Sequence, residues 1–143
     1  MKLSDQLKEE AKDISVLYVE DEEPTRCQIT QILSLFFKEV VVASNGLEAL
    51  NLYKKSPTDL IMTDLTMPQM TGLEMIKEVK KIEPKQHIVV LTAHNSSENI
   101  METMDLQIDG FLLKPMKMDR MLTLLHKVTH TINLEKSETV CTH

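Results

Sequence analysis

The sequence predicts a doubly wound α/β domain around a parallel five-stranded sheet. Five short apolar runs, rich in β-branched residues, alternate with segments that have the length and apolar spacing of helices. The runs are almost continuously apolar rather than alternating, which is typical of strands covered on both faces of a parallel sheet. A strand followed by a helix, repeated five times in 143 residues, is a (βα)5 pattern and indicates one such domain.

The predicted strands are short, and most end at a polar residue. Their composition, rather than an alternation of polar and apolar positions, identifies them. In chain order they are Ile14–Val19, Val40–Ala43, Asp59–Asp64, His87–Thr92 and Gly110–Lys114.

Capping residues indicate where the helices begin. Pro24 suits the first turn of a helix after the first strand. Three later helices begin with a small polar residue followed three positions on by Glu, which is the pattern of a capping box. These starts are Asn45 with Glu48, Thr71 with Glu74, and Asn95 with Glu98. The last helix follows Pro115, and its predicted apolar stripe is Met118, Leu122, Leu125, Val128 and Ile132.

These elements predict three regions of chain. Residues 1–13 are expected to be an N-terminal extension, residues 14–130 the domain, and residues 131–143 a C-terminal tail, with prolongation of the last helix as one alternative. The apolar residues Met121 and Leu124 on the last helix suggest a surface for a homodimer.

Composition excludes several classes of function. The net charge of −6, with three Phe, two Tyr and no Trp, argues against direct nucleic-acid binding. No apolar run approaches the roughly 20 residues of a membrane span, and the polar N-terminus does not resemble a secretory signal. Cys27 and Cys141 are far apart, which favours a reducing, cytoplasmic location over a disulfide framework.

Polar groups of opposite charge gather at the carboxyl ends of the predicted strands. The first strand ends in Glu20 and Asp21, the third in Asp64, the fourth in Thr92 and the fifth in Lys114. In doubly wound sheets this edge carries the functional crevice. Two carboxylates 4 Å apart repel by about 4 kcal/mol at an effective dielectric of 20, so either one acid has a raised pKa or a cation lies among them.

A hard divalent cation such as Mg²⁺ fits this set of oxygen ligands. Glu20, Asp21 and Asp64 together with Mg²⁺ and Lys114 would have a formal charge of zero, which suits a phosphoryl group. A carboxylate can act as nucleophile and form an aspartyl phosphate. Asp64 is the candidate nucleophile, with Lys114 and the Thr92 hydroxyl as contacts of the phosphoryl group.

The chain resembles the receiver domain of bacterial two-component response regulators. The motifs that carry the resemblance are "VEDE", "TDLTMPQMTG", "LTA" and "LLKP", each at the end of a predicted strand and in the same order as in the family. The resemblance extends over roughly Ile14–Val128. The fold that it implies is flavodoxin-like, with a parallel sheet in the strand order 2-1-3-4-5.

The resemblance assigns the metal and phosphoryl roles to particular residues. It implies that Asp64 is the phosphoacceptor and that Glu20, Asp21, Asp64 and the backbone carbonyl of Thr66 hold Mg²⁺, with Mn²⁺ as an alternative ion. Glu20 departs from the commoner Asp, and its longer side chain is expected to reach the metal through water.

The resemblance also assigns switch and tuning roles. It implies that Thr92 is the switch hydroxyl, that the backbone N–H of Ala93 faces the phosphoryl oxygens, and that Lys114 is the ion-pair partner. Phe111 takes the aromatic switch position without the hydroxyl of the commoner Tyr. Residues implied to tune the phosphoryl lifetime are Thr66 and His94, and a cis peptide bond is implied between Lys114 and Pro115.

The function implied by the resemblance is signalling rather than ordinary enzymology. A sensor histidine kinase or a phosphotransfer protein would donate the phosphoryl group, and the receiver would assist its own phosphorylation and dephosphorylation. Phosphorylation would then change the surface formed by the fourth helix of the (βα)5 unit, which is predicted to begin at Asn95, together with its fifth strand and its fifth helix. An output partner, unidentified by the sequence, would bind that surface.

Two other functions compete with this interpretation. An aspartate-nucleophile phosphohydrolase would carry a second acid two residues after Asp64, where this sequence has Thr66. A flavodoxin-like cofactor carrier would have an uncharged phosphate-binding loop after the first strand, where this sequence has "EDEEP". Each departure disfavours the corresponding alternative.

His126 and His130 are four residues apart on the last predicted helix, which is a spacing found in metal sites. The sequence indicates no third ligand, so ordinary surface histidines are the simpler interpretation. Methionines at helical positions, Met75, Met101, Met104, Met118 and Met121, are interpreted as core and interface residues.

Overall fold

A parallel five-stranded sheet forms the centre of the computed structural model, which describes residues 2–65, 70–92, 101 and 103–141, with side chains through residue 137. The strand order is β2-β1-β3-β4-β5, as predicted. Its strands are β1 (Ser15–Val19), β2 (Glu39–Ala43), β3 (Leu60–Asp64), β4 (His87–Thr92) and β5 (Gly110–Leu113).

Side chains of β1 alternate between two hydrophobic clusters, one on each face of the sheet. Val16 and Tyr18 lie in the first cluster, whereas Leu17 and Val19 lie in the second. All five residues of β3 are buried. Because both faces of these strands are covered, the continuous apolar runs of the sequence are needed to fill two layers of core rather than one.

Five helices are described in this part of the chain. Asn45 accepts a hydrogen bond from the Glu48 N–H at 2.8 Å, and Thr71 accepts one from the Glu74 N–H at 3.2 Å, so both predicted caps are formed. The predicted start at Asn95 lies outside the described residues. The helices are α1 (Leu3–Ala11), α2 (Glu23–Leu33), α3 (Gly46–Lys55), α4 (Gly72–Ile82) and α5 (Met118–Cys141).

Helix α1 lies within the stretch that the sequence analysis read as an extension. Leu7 and Ala11 are fully buried, in the same hydrophobic cluster as Val128 and Ile132 of α5. The N-terminal residues therefore contribute side chains to the core. The three-residue link after α1 is closed by Ile14, whose N–H donates to the Ala11 carbonyl at 3.0 Å.

The buried stripe of α5 differs from the predicted one in its first turn. Met121 is only 1% exposed and packs in the core, whereas Met118 is 49% exposed. The interpretation of Met121 as an exposed residue for a homodimer was therefore wrong. Leu124 is half-buried, and its side chain fills the space beside Gly110, where an added Cβ would lie 2.6 Å from a Leu124 methyl group.

The methionines interpreted as core and interface residues differ in burial, and a core position is confirmed for two of them. Met75 and Met121 are buried, but Met101 is 71% exposed and Met104 is 62% exposed. Helical spacing alone did not distinguish these positions, because it does not say which face of a helix meets the sheet. None of the helices in the described part of the chain is long and apolar enough to cross a membrane.

Candidate functional site

The polar residues predicted from the strand ends meet at the carboxyl edge of the sheet. Asp64 is the last residue of β3 and Thr92 is the last residue of β4. Glu20 and Lys114 directly follow β1 and β5, and both continue the sheet hydrogen bonds: the Glu20 N–H donates to Ala43 and the Lys114 N–H donates to Thr92. This backbone pairing places residues from four separate strands side by side.

Lys114 joins two of the acids directly. Its Nζ lies 2.7 Å from Asp64 Oδ2 and 2.9 Å from Glu20 Oε1. Partial burial of the Lys114 ammonium lowers its pKa, but the hydrogen bonds to Asp64 and Glu20 outweigh that effect, and the net pKa is raised. The ammonium is therefore charged at neutral pH and offsets part of the repulsion between the two carboxylates.

Glu20 is fully buried, which is unusual for a carboxylate. Burial raises its pKa, and the hydrogen bond from Lys114 opposes that effect in part. A second contact comes from the backbone, since the Glu22 N–H donates to Glu20 Oε2 at 3.3 Å. Lys114 and the Glu22 amide thus hold the Glu20 carboxylate back against the sheet edge.

A carboxylate cluster forms beside this lysine. Oxygen atoms of Glu20, Asp21 and Asp64 all lie within 4.8 Å of one another, and Asp21 is exposed while the other two are buried. Three carboxylate oxygens at this spacing suit a small, hard cation that retains several waters. The donor set therefore fits Mg²⁺ and fits a soft metal poorly.

Arg26 supports the loop that carries the first two acids, and the sequence analysis missed it. Its guanidinium Nη1 donates to the Glu20 carbonyl at 3.0 Å and to the Asp21 carbonyl at 3.4 Å. A basic residue in the first turn of α2, directly after the acidic block, was the available signal. By fixing the two carbonyls, Arg26 fixes the backbone from which both carboxylates project.

Gly72 allows α4 to pack directly against the backbone of Asp64. A Cβ at Gly72 would lie 2.0 Å from the Asp64 carbonyl oxygen, so any larger residue would displace the Asp64 backbone. The Gly72 N–H also donates to the Leu65 carbonyl at 2.9 Å. The glycine in "TDLTMPQMTG" is therefore required by close approach rather than by an unusual backbone angle.

Tyr18 lies in β1, two residues before Glu20, and was treated only as a strand residue in the sequence analysis. It is fully buried, and its hydroxyl makes no hydrogen bond among the described residues. Burial raises the pKa of the phenol far above its ordinary value, and the negative charges of Glu20 and Asp64 raise it further. The Tyr18 hydroxyl is therefore uncharged at neutral pH, and its pKa depends on the charges of Glu20 and Asp64.

The remaining predicted site residues are described only in part. Thr92 is 1% exposed, and Phe111 is half-buried beside the second hydrophobic cluster. The Lys114–Pro115 peptide bond is cis. Thr66, Ala93 and His94 lie outside the described residues.

The four consecutive acids of the sequence separate into two pairs. Glu20 and Asp21 belong to the carboxylate cluster, whereas Glu22 and Glu23 are exposed where α2 begins. The two pairs therefore have different surroundings despite their adjacency: only the first pair contributes carboxylates to the cluster, and Glu22 takes part through its backbone N–H alone.

Comparison with known protein families gives one match that covers most of the chain. The model of the "Response regulator receiver domain" family matches residues 16–126. The matched region includes every described residue of the site, from Glu20 to Lys114, as well as the residues between them that the structure leaves undescribed.

Individual relatives are similar over the same region. The chain is 34% identical over 115 residues to the chemotaxis protein CheY of Thermotoga maritima, covering 80% of this chain and 96% of that protein. It is 32% identical over 122 residues to the transcriptional regulatory protein ZraR of Klebsiella oxytoca, covering 84% of this chain but only 27% of that protein.

A solved structure shares the fold. The N-terminal domain of an uncharacterized protein from Wolinella succinogenes superposes with a TM-score of 0.79 at 31% identity, over 86% of this chain and 98% of that domain. The similarity in fold and the similarity in sequence therefore extend over most of this chain and nearly all of that domain.

Proposed function

The chain belongs to the response regulator receiver family of two-component systems, and from this membership we propose that Asp64 accepts a phosphoryl group from a sensor histidine kinase or a phosphotransfer protein. The observation that carries the proposal is the contact of Lys114 Nζ with both Asp64 and Glu20, at 2.7 Å and 2.9 Å. In the proposed transfer, this ammonium would lie beside the carboxylate that receives the phosphoryl group, where negative charge develops.

In the proposed reaction, an Asp64 carboxylate oxygen attacks the phosphorus of a phosphohistidine. The bond between phosphorus and that oxygen forms, the bond between phosphorus and the imidazole nitrogen breaks, and the imidazole keeps the electron pair and takes up a proton. Lys114 neutralises charge on the transferred group. The Thr92 hydroxyl and the backbone N–H groups of Thr66 and Ala93 would donate to its oxygens.

Glu20, Asp21 and Asp64 are the residues that would hold Mg²⁺, or Mn²⁺ in its place, with the Thr66 carbonyl as a further ligand. When bound there, the ion would neutralise negative charge on the phosphoryl oxygens. Without a compensating cation, the carboxylate cluster would repel an incoming phosphoryl group, since Lys114 carries only one positive charge.

Phosphorylated Asp64 would carry about −1.5 to −2 charges. We expect this charge to draw the Thr92 hydroxyl inward and Phe111 with it, which would favour one of two states of the surface formed by the predicted helix from Asn95, strand β5 and helix α5. An output partner would bind that surface. Hydrolysis of the aspartyl phosphate, assisted by the same site, would reset the switch, with Thr66 and His94 setting its rate.

The direct test is phosphorylation by a small acyl phosphate in the presence of Mg²⁺, followed by intact mass measurement. We expect one base-labile phosphoryl adduct on the unmodified chain and none on Asp64→Ala. Asp21→Ala should lose the adduct or form it far more slowly, because it removes one carboxylate of the metal cluster.

The matched control is the double variant Glu22→Gln/Glu23→Gln, which removes the same kind of charge from the adjacent, exposed pair. Its adduct should form at nearly the unmodified rate. An adduct that survives in Asp64→Ala would refute the phosphoacceptor assignment. Steady hydrolysis of unrelated phosphate esters would point instead to a phosphohydrolase.

A further inference from the structure

We propose that His126 and His130 bind a divalent transition-metal ion of the Zn²⁺ or Ni²⁺ type on the surface of α5, with Glu10 of α1 orienting His130. This site shares no residue with the carboxylate cluster. Imidazole nitrogens suit these ions, whereas Mg²⁺ prefers oxygen ligands, so the two sites differ in the metal that they select.

The two imidazoles occupy one face of the helix. They are four residues apart, which brings side chains together on a helix surface, and their rings are nearly parallel at 16° with centroids 6.4 Å apart. His130 is 55% exposed, so water can complete the coordination of a bound ion.

Glu10 fixes which nitrogen of His130 is available. Glu10 Oε1 lies 2.9 Å from His130 Nδ1. The other carboxylate oxygen of Glu10, Oε2, accepts from Asn133 Nδ2 at 2.7 Å, and a carboxylate has no hydrogen to donate. Nδ1 must therefore carry the proton. In neutral His130 the lone pair is then on Nε2, the nitrogen left for a metal.

Glu10 is itself held in place. Asn133 Nδ2 donates to Glu10 Oε2 at 2.7 Å and to the Glu10 backbone carbonyl at 2.7 Å. Asn133, Glu10 and His130 thus form a fixed chain of hydrogen bonds. A carboxylate that accepts from the second ring nitrogen of a histidine is the usual support of a histidine that binds metal.

His126 is the adjustable partner. Within the part of the chain whose side chains are described, its ring makes no hydrogen bond and contacts His130 by stacking. With their ring centroids 6.4 Å apart, the two imidazoles cannot both bind one ion in their present orientations. His126 must therefore rotate toward His130 when the ion binds. This rotation breaks no hydrogen bond among the described side chains.

The test is calorimetric titration of ZnCl₂ and of NiCl₂ into the full chain, with excess MgCl₂ present to occupy the carboxylate cluster. One equivalent should bind. His126→Ala should weaken binding at least tenfold, and this variant is decisive because it removes no hydrogen bond. Glu10→Gln should weaken binding by about 10- to 100-fold through loss of the orienting carboxylate.

Lys127→Ala is the matched control, since it truncates an exposed side chain of the same helix turn, and its binding should stay within about twofold of the unmodified chain. Circular dichroism in EDTA checks that every variant is folded. Binding that is unchanged in His126→Ala overturns the proposal. An absence of binding also overturns it, and a loss of thermal stability of Glu10→Gln in EDTA would then show that the three polar residues serve to join α1 to α5.

Discussion

At the scale of single residues, the site depends on how one ammonium is shared. Lys114 contacts a buried carboxylate and a nearly buried one, so neither Glu20 nor Asp64 is left as an isolated charge. Removing one partner of such a pair lowers the free energy of unfolding by far more than the intact pair contributes to it, because a buried charge is left without compensation. Lys114 therefore supports both the stability of the apo site and the proposed phosphoryl transfer.

Tyr18 gives a residue-scale prediction about stability. Its hydroxyl is buried without a hydrogen bond among the described residues, and such a group costs about 1–3 kcal/mol. Tyr18→Phe keeps the ring and removes the hydroxyl, so we expect the free energy of unfolding to rise by about 1 kcal/mol in urea titrations.

The control for Tyr18→Phe is Tyr53→Phe. Tyr53 is also buried, but its hydroxyl donates to Gln86 Oε1 at 2.5 Å, so the same change there should destabilise the protein. Destabilisation by Tyr18→Phe as well would mean that the Tyr18 hydroxyl is hydrogen-bonded in solution, for example to a buried water.

At the scale of elements, α1 is the part of the fold that the (βα)5 pattern does not include. We expect Leu7→Ala to lower the free energy of unfolding by about 2–5 kcal/mol, since it leaves a cavity among fully buried side chains. Chemical denaturation measures the change. The neighbouring exposed change Lys8→Ala should stay within about 0.5 kcal/mol. Equal effects of the two changes would show that α1 is not docked in solution.

His87, at the start of β4, connects three parts of the fold. His87 Nδ1 lies 2.9 Å from Asp109 Oδ1, just before β5, and His87 Nε2 lies 2.7 Å from Glu135 Oε2 in α5. The hydrogen bond to Asp109 is the main cause that raises the pKa of His87 to about 9, and burial opposes it. The imidazolium thus connects the sheet to the C-terminal half of the last helix.

The sign of the resulting pH dependence follows from the raised pKa. The stabilisation is fully present below pH 6.5, the ordinary pKa of His87, and is lost as the pH rises through about 9. At 1.36 kcal/mol per pKa unit the loss is at most about 3 kcal/mol. Unfolding free energies measured from pH 6 to 10 should fall more steeply for the unmodified chain than for His87→Gln. Parallel curves would contradict this assignment.

At the scale of the whole molecule, metal binding to the carboxylate cluster should increase the stability of the folded chain. A ligand that binds only the folded chain adds about 2.7 kcal/mol at a concentration 100 times its dissociation constant. We expect MgCl₂ to raise the melting temperature and EDTA to reverse the rise. Asp21→Asn, at an exposed position, should respond much less.

Ionic strength is the control for this measurement, because the chain has a net charge of −6 and any salt screens its self-repulsion. NaCl at matched ionic strength should raise the melting temperature less than MgCl₂ does. Equal responses to the two salts, or an undiminished response of Asp21→Asn, would argue against a specific metal site.

The sequence was sufficient to predict the sheet and the meeting of Glu20, Asp64, Thr92 and Lys114 at its edge, although not the supporting Arg26. Apolar runs that end in Asp64, Thr92 and Lys114 predict both the strands and the place where their ends meet, because parallel strands share one carboxyl edge. The carboxylate, hydroxyl and ammonium groups at these positions then favour a site for a hard cation and a phosphoryl group. The caps at Asn45 and Thr71 were readable for a similar reason, since they depend on residues only three positions apart.

What only the tertiary structure decided depends on contacts between distant parts of the chain. No local pattern says that Leu7 packs with α5, that Met121 rather than Met118 faces the core, or that Glu10 reaches His130 across 120 positions. Local sequence determines which elements form and what their ends carry. The faces that meet, and therefore which polar groups are paired, are determined by how the elements pack.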